Sequence, residues 1–211
     1  NQPFTSKDGD ILIFNGEIYN HKELRKILEN DYNINLKTTG DTEVLFWILK
    51  LELYSLLQIA NGMWSFVFMD KYHNIYFSRD RYGIKPLFIY QNNEKLIITS
   101  ECCAVKSIFD IEIDYKLLIN FIYRPSSILG VNSFYKDLND VDGGILYKLN
   151  QKNEINEICK LNKYKSNDST KAKVIDSVNL RRECDVKVGL TLSSGLDSNI
   201  IANILSKNKS N

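Results

Sequence analysis

A short apolar run that ends in a polar triplet is the feature that most constrains the fold of this chain. Residues 11–14, Ile-Leu-Ile-Phe, are typical of a buried strand, and Asn15-Gly16-Glu17 follows at once. Asn-Gly alone would suggest a hairpin turn, because both residues tolerate positive φ. The next segment instead has apolar residues at helical spacing, at Leu24, Ile27 and Leu28. The pattern therefore predicts a strand, a polar turn and a helix, which is an arrangement that often holds ligands.

A second pattern of the same kind lies near the end of the sequence. Residues 186–192 predict a strand, and the Ser- and Gly-rich residues 193–198 lead into an apolar helix. Many α/β folds hold phosphate in such a turn, because backbone N–H groups and the helix N-terminus both favour an anion. The turn has neither the Gly-Lys-[Ser/Thr] of a Walker A loop nor the Gly-x-Gly-x-x-Gly of a dinucleotide fold. The residues alone leave open a phosphate site or a helix start with Asp197 as a simple N-cap.

Between these two patterns the chain predicts a mixture of strands and helices. Strands are predicted at residues 63–69, 75–78, 87–90, 96–99 and 145–149, and helices at 21–29, 101–109 and 115–123. A further long helix is predicted from about residue 41 to residue 57, with Asp41 or Thr42 as its cap. Residues 151–172 are rich in Asn, Lys and Ser and predict a linker, followed by a helix at about 173–182.

The composition excludes several classes of protein. The apolar fraction of 44% is enough for a core, and a net charge of +1 without a basic stripe argues against nucleic acid as the main partner. No stretch approaches the roughly 20 apolar residues that cross a bilayer. Two histidines and four cysteines without metal-knuckle spacing argue against zinc. A few unpaired thiols in a chain of this size predict a reducing, cytoplasmic setting. The cysteines are Cys102, Cys103, Cys159 and Cys184.

Five short motifs occur in succession along the chain. They are FNGEIYN at 14–20, GDTEV at 40–44, GMWSF at 62–66, RDRYGIKPL at 79–87 and LSSGLDS at 192–198. Together they resemble the glutamine-hydrolysing asparagine synthetases of the bacterial type, over nearly the whole chain. The resemblance implies an α+β N-terminal-nucleophile (αββα) glutaminase domain at residues 1–150, incomplete at its N-terminus. A linker at 151–172 and the start of an α/β ATP-pyrophosphatase domain at 173–211 would follow.

The same resemblance implies an ATP-dependent amide ligase. In this family an N-terminal cysteine hydrolyses glutamine, and the released ammonia converts an aspartyl-adenylate to asparagine. The expected ligands are glutamine, ATP with Mg²⁺, and aspartate or another carboxylate acceptor. A relative that amidates a sugar acid would share every motif, and a non-catalytic glutamine- or nucleotide-binding relative is a third alternative. A homodimer is left open.

The resemblance also assigns roles to residues of the first domain. Asn15, through its side chain, and Gly16, through its backbone N–H, would stabilise the oxyanion that develops on the glutamine amide. Glu17 would lie against the glutamine, and Asp41 would pair with its α-ammonium group. From the residues alone, a simple turn at Asn15-Gly16 and a helix cap at Asp41 stay open as alternatives.

In the second domain the resemblance assigns ATP binding to the turn. The residues concerned are Leu192, Ser193, Ser194, Gly195, Leu196, Asp197 and Ser198. The family has Ser-Gly-Gly where this chain has Ser193-Ser194-Gly195. We assign no metal ligand, and Asp197 is only a weak candidate for Mg²⁺.

Two further expectations concern residues outside these sites. Arg79 and Asp80 are expected to be structural and to anchor a loop. None of the four cysteines matches the position of the family's nucleophile, which would precede Asn15. We therefore expect residues 1–211 to be an internal fragment that lacks the nucleophile and is inactive by itself.

Overall fold

A computed structural model describes residues 2–92, 95–124, 133–150, 154–162, 167–182 and 188–207. The chain forms two units, Asn1–Lys163 and Tyr164–Asn211, and each is described by itself. None of the helices in these described ranges combines the length and the apolar content needed to cross a membrane.

The first unit contains both strands and helices. Its strands are β1 (Phe4–Thr5), β2 (Ile11–Ile18), β3 (Gly62–Met69), β4 (Ile75–Arg79), β5 (Phe88–Gln91), β6 (Leu96–Thr99), β7 (Leu138–Asp140), β8 (Ile145–Leu149) and β9 (Ile155–Lys160). Its helices are α1 (His21–Asp31), α2 (Asp41–Lys50), α3 (Tyr54–Ile59), α4 (Cys102–Lys106) and α5 (Tyr115–Tyr123). The second unit contains α6 (Thr170–Leu180) and α7 (Leu196–Lys207).

The strands of the first unit form two antiparallel sheets. The large sheet has the order β1-β2-β3-β4-β8-β9 and the small sheet the order β6-β5-β7. Leu24 and Leu28 lie one turn apart on α1 and are fully buried, so this helix packs its apolar face with α2 on one face of the large sheet. The opposite face of the large sheet meets the small sheet, where Phe77, Leu149 and Ile89 form one cluster.

Helix α4 covers the outer face of the small sheet. Phe88 and Tyr90 alternate with Ile89 along β5 and pack with Val105 of α4 on that outer face. The layers are therefore helix, sheet, sheet and helix, and the predicted αββα class is confirmed. Most predicted strands are also confirmed, although the helix predicted at 101–109 is shorter, with α4 ending at Lys106.

The prediction that the first strand ends at residue 14 is wrong. β2 continues to Ile18, so Asn15, Gly16 and Glu17 lie inside a strand and not in a turn. They pair with Ser65, Trp64 and Met63 of β3 in antiparallel register. Strand pairing with a partner almost 50 positions away overrides the local turn preference of Asn-Gly.

The single long helix predicted up to residue 57 is also wrong. α2 ends at Lys50, and α3 begins at Tyr54. Glu52 between them has a φ of 54°, in the left-handed region that ends a helix. The apolar periodicity continues across this break because both helices face the same core.

The linker predicted at 151–172 requires correction. It contains β9, which pairs with β8, and α6 already begins at Thr170. β9 is largely exposed, and its polar sequence is typical of an edge strand, which explains why its composition suggested a linker. Of the strand predicted at 186–192, positions 186 and 187 lie outside the described residues. The part at 188–192 is not a strand, because no other described segment of the second unit offers a strand to pair with.

Candidate functional site

The candidate site of the first unit lies along the outer edge of β2. Trp64, opposite Gly16, directs both of its backbone groups away from β2: its N–H donates to Asp80 Oδ2 at 3.2 Å, and its carbonyl accepts from the Asp80 N–H at 2.8 Å. Gly16 and Trp64 are therefore an antiparallel pair without mutual backbone hydrogen bonds. The N–H of Gly16 consequently points away from β3, toward the edge of the sheet.

The backbone N–H groups on either side of Gly16 at this edge are already occupied. Phe14 N–H donates to Gln2 Oε1 at 2.8 Å, and Ile18 N–H donates to Asp41 Oδ2 at 2.9 Å. The Gln2 amide also donates to the Phe14 carbonyl at 2.5 Å, so this side chain takes the place of a neighbouring strand. Within the described ranges no group accepts from Gly16 N–H, which leaves one backbone donor available between two that are satisfied.

Asn15 and Glu17 project their side chains from the face of the sheet opposite to the helices. Asn15 is exposed, and across the strands it is in register with Ser65 and then with Arg79. Its amide has no hydrogen-bond partner in the part of the chain that the structure describes. The Asn15 amide and the Gly16 N–H are thus two donors on adjacent residues of β2, in the part of this strand that extends beyond its pairing with β1.

Asp41 lies against the end of β2 and is not a helix cap. The N-cap of α2 is Gly40, and Asp41 is the first helical residue. Its carboxylate accepts from Ile18 N–H, two positions beyond Gly16. The helix-cap alternative is therefore wrong. The structure brings Asn15, Gly16, Glu17 and Asp41 to one end of β2, where a carboxylate faces the same edge as the available donor.

Glu43 is a buried acid beside this edge that sequence reasoning did not single out. It is 4% exposed, and its carboxylate accepts from the N–H groups of Lys37 at 3.0 Å and Thr38 at 2.6 Å. The Thr38 hydroxyl also donates to it at 2.7 Å. Burial by itself would raise the pKa of Glu43, but these hydrogen bonds and the Arg25 charge hold that pKa below its usual value. The sequence did contain a signal for a buried acid: Glu43 occupies a position of α2 among residues that are otherwise apolar and buried.

Arg79 and Asp80 hold the loop that follows β4. Arg79 donates to the carbonyls of Lys85 at 2.8 Å, Val141 at 2.9 Å and Gly83 at 2.7 Å. Asp80 accepts from three backbone N–H groups of the same loop, those of residues 82, 84 and 85. Both side chains are buried, and the prediction that they anchor a loop is confirmed.

The predicted ATP-binding turn lies in the second unit and is organised around one hydroxyl group. Ser198 Oγ lies 2.9 Å from Ser193 Oγ, accepts from Ser193 N–H at 3.2 Å and lies 3.1 Å from the Gly195 carbonyl. Asn199 Nδ2 also donates to the Gly195 carbonyl at 2.8 Å. Leu192 and Leu196 on either side of the turn are exposed. The turn therefore has a defined shape while its outer surface faces solvent.

The turn leads directly into the N-terminus of α7. This helix begins at Leu196, so Asp197 lies in the first turn and the N-cap alternative for it is wrong. Backbone N–H groups in a first turn have no partner inside the helix, and they carry the positive end of the helix dipole. The residues present therefore fit an anionic group such as a nucleotide phosphate. The side chain of Asp197 accepts no hydrogen bond from any described residue.

Comparison with known families divides the chain at nearly the same place as the structure does. Residues 1–164 match the family described as "Glutamine amidotransferase domain", and residues 169–211 match the family described as "Asparagine synthase". The first match ends at residue 164 and the second begins at residue 169, close to the division between the two units after Lys163.

Two curated relatives carry names of the same kind. "Asparagine synthetase [glutamine-hydrolyzing] 2" of Bacillus subtilis is 32% identical over 95% of this chain and 30% of the relative. "Putative asparagine synthetase [glutamine-hydrolyzing] 2" of Methanocaldococcus jannaschii is 30% identical over 92% of this chain and 40% of the relative. The chain thus spans between 30% and 40% of the length of these relatives.

Solved structures of similar fold include the glutamine phosphoribosylpyrophosphate amidotransferase of Bacillus subtilis in complex with ADP and GMP. The TM-score is 0.55 at 19% identity, covering 98% of this chain and 47% of that one. An allosteric regulatory enzyme of purine biosynthesis matches with a TM-score of 0.54 at 21% identity, covering 82% of this chain and 34% of that one. At these identities the likeness supports the fold alone.

Proposed function

Because this chain belongs to the glutamine amidotransferase domain family and continues into an asparagine synthase segment, we propose that it is part of a glutamine-dependent amide ligase. The reaction proposed for the whole enzyme makes asparagine from aspartate, with ATP as the activating substrate and glutamine as the source of ammonia. The observation that carries the proposal is the available Gly16 N–H at the edge of β2, two residues from the backbone group that binds Asp41.

In the first unit, we assign the edge of β2 to glutamine hydrolysis. The Gly16 N–H and the Asn15 amide would both donate to the amide oxygen of glutamine as it gains negative charge in the transition state. Preorganised donors of this kind stabilise a transition state strongly, because they need no reorganisation during the reaction. Asp41 would bind the α-ammonium group of the same glutamine through a charge-assisted hydrogen bond, and Glu17 would lie against the substrate.

In the second unit, we assign the turn at residues 192–198 to the phosphates of ATP. ATP supplies the adenylyl group that activates the aspartate carboxylate, and pyrophosphate is the leaving group. Mg²⁺ would neutralise part of the phosphate charge. The N–H groups in the first turn of α7 and the hydroxyl of Ser194 would hold the phosphates in place. We propose accordingly that residues 1–163 form the glutaminase domain and that the ATP-binding domain begins after them.

We assign the nucleophile to none of the cysteines in this chain. Burial raises the pKa of Cys102 and of Cys159, which disfavours the thiolate form that attacks an amide. Cys103 is exposed and donates to the carboxylate of its neighbour Glu101 at 3.3 Å. Replacement of Cys102 or Cys159 by Ala in the full-length protein should therefore leave glutamine hydrolysis intact.

The full-length protein encoded by the gene provides the test. It is incubated with glutamine labelled with ¹⁵N in its amide, ATP, Mg²⁺ and aspartate, and the products are followed by NMR. We expect labelled asparagine, glutamate, AMP and pyrophosphate in equal amounts. A parallel panel replaces aspartate with sugar acids. Transfer of label to a sugar acid in preference to aspartate would contradict the proposed acceptor, and failure to release glutamate would contradict the proposed function as a whole.

A further inference from the structure

We propose that Glu43 is a positioning residue for the recognition of the glutamine α-ammonium group. It would hold the segment 37–40 in the conformation that places Asp41 at the edge of β2. This inference rests on the function proposed above and concerns substrate selection, since the α-ammonium group distinguishes glutamine from other primary amides.

The first observation is the position of Glu43 on α2. It is the third residue of a helix whose first residue is Asp41 and whose N-cap is Gly40. An acid at this position commonly reaches back to the N–H of the N-cap residue itself. Here it reaches farther, to the N–H groups of Lys37 and Thr38. Glu43 thus ties down the segment that enters the helix.

The second observation is that this segment depends on side chains for its hydrogen bonds. Residues 37–40 lie outside regular secondary structure and are exposed. The segment is held by the Glu43 carboxylate on one side and by the Arg25 guanidinium, which donates to the Thr38 carbonyl, on the other. An added Cβ at Gly40 would meet no heavy atom of the described residues within 4 Å, so the surface beside Asp41 is open. Asp41 itself is partly exposed, so a substrate ammonium group would approach its carboxylate from this side.

The third observation is the way Asp41 itself is held. One of its carboxylate oxygens, Oδ2, accepts from Ile18 N–H at 2.9 Å, and the other is 3.4 Å from the Thr42 hydroxyl. The second contact is long for a hydrogen bond between oxygens, so Oδ1 keeps acceptor capacity for an ammonium group. The direction of the Asp41 carboxylate depends on the backbone of Asp41. That backbone directly follows the segment 37–40, which Glu43 holds in place. Glu43 therefore acts on the substrate through Asp41 and not by contact.

The variant Glu43→Gln tests this role in the full-length protein. It keeps the size of the side chain but removes the charge and turns an NH₂ group toward backbone donors. We expect the KM for glutamine to rise about tenfold with kcat changed less than twofold, because the lost interaction is made equally in the ground state and the transition state. The Ki of glutaramate, which has the same amide and carboxylate but no α-ammonium group, should change less than twofold.

A milder variant and a control complete the experiment. Thr38→Val removes only the 2.7 Å hydroxyl contact and should raise the KM for glutamine two- to threefold. Glu23→Gln changes an exposed acid in the first turn of α1 and should alter neither the KM for glutamine nor the Ki of glutaramate. Equal increases in the glutamine KM and the glutaramate Ki, or no increase in either, would overturn the inference. A wild-type protein that releases no glutamate would instead overturn the proposed function.

Discussion

Gly16 and Trp64 face each other across β2 and β3 so closely that a Cβ at position 16 would lie 2.7 Å from the Trp64 Cα and 2.9 Å from its Cβ. The Trp64 side chain is fully buried, on the face of the sheet toward which a Cβ at position 16 would point. Glycine is therefore required at position 16 for close approach of two strands, independently of any role of its N–H group.

The variant Gly16→Ala should accordingly lose both stability and glutamine hydrolysis. Overpacking at such a contact typically costs about 1–3 kcal/mol, because the strands must move apart. Urea unfolding followed by fluorescence measures the loss. Gly189→Ala is the matched control, since a Cβ there would meet no heavy atom of the described residues within 4 Å and no positive φ is needed. Equal stability of Gly16→Ala and wild type would contradict the packing described here.

Replacement of Asn15 should separate catalysis from folding. The Asn15 side chain is exposed and has no hydrogen bond to a described residue, so Asn15→Ala should leave the melting temperature unchanged. Loss of one oxyanion donor typically lowers kcat by about 10²–10³-fold, and we expect the same for glutamate release in the full-length protein. Asn139→Ala on β7 removes another exposed strand asparagine and serves as control. A kcat within threefold of wild type would exclude Asn15 as an oxyanion donor.

The ion pair between Asp10 and Lys50 should make stability depend on pH. Burial by itself would raise the pKa of Asp10, but hydrogen bonds from Lys50 at 2.8 Å, Ser6 and the Lys71 backbone together hold that pKa below its usual value. A lowered pKa in the folded state stabilises the protein above the unfolded-state pKa of about 4, and the stabilisation is lost as pH falls through the folded-state pKa.

The variant Asp10→Asn tests this dependence. At pH 7 it should be less stable than wild type by roughly 1–3 kcal/mol, because Lys50 loses a buried charged partner. Urea unfolding between pH 7 and pH 3 measures the free energy of unfolding of both proteins. The difference between wild type and variant should become smaller below about pH 4. Asp31→Asn, at the exposed end of α1, should show no such change. A difference that stays constant down to pH 3 would be inconsistent with the ion pair.

Arg81 should stabilise the end of the first unit. Its guanidinium group donates to the carbonyls of Asn162 at 2.7 Å and Ala60 at 2.6 Å, and also to that of Gln58. The variant Arg81→Met would leave these carbonyls without their donor, at a cost of about 2–4 kcal/mol. Limited proteolysis should then cut near residue 162 earlier than in wild type. Arg182→Met, at an exposed position after α6, is the control and should leave the cleavage pattern unchanged.

Local patterns in the sequence were sufficient to predict many of the strands and helices. The apolar runs at residues 63–69 and 75–78 predicted β3 and β4, and the helical spacing of Leu24 and Leu28 predicted α1. These elements are encoded by residues that are neighbours along the chain, so their periodicity is visible in the sequence. β9 was missed because an exposed edge strand has no buried face to produce such a pattern.

The sequence by itself determined the order of the motifs, and with it the family and the αββα class. Only the tertiary structure decided that Asn15-Gly16-Glu17 continues a strand, because the hydrogen-bond partners of that strand come from β3. The direction of the Gly16 N–H follows from the contacts of Trp64 with Asp80, and the place of Asp41 follows from Ile18. Such relations join residues far apart in the chain, and a backbone donor carries no side-chain signature that a sequence could display.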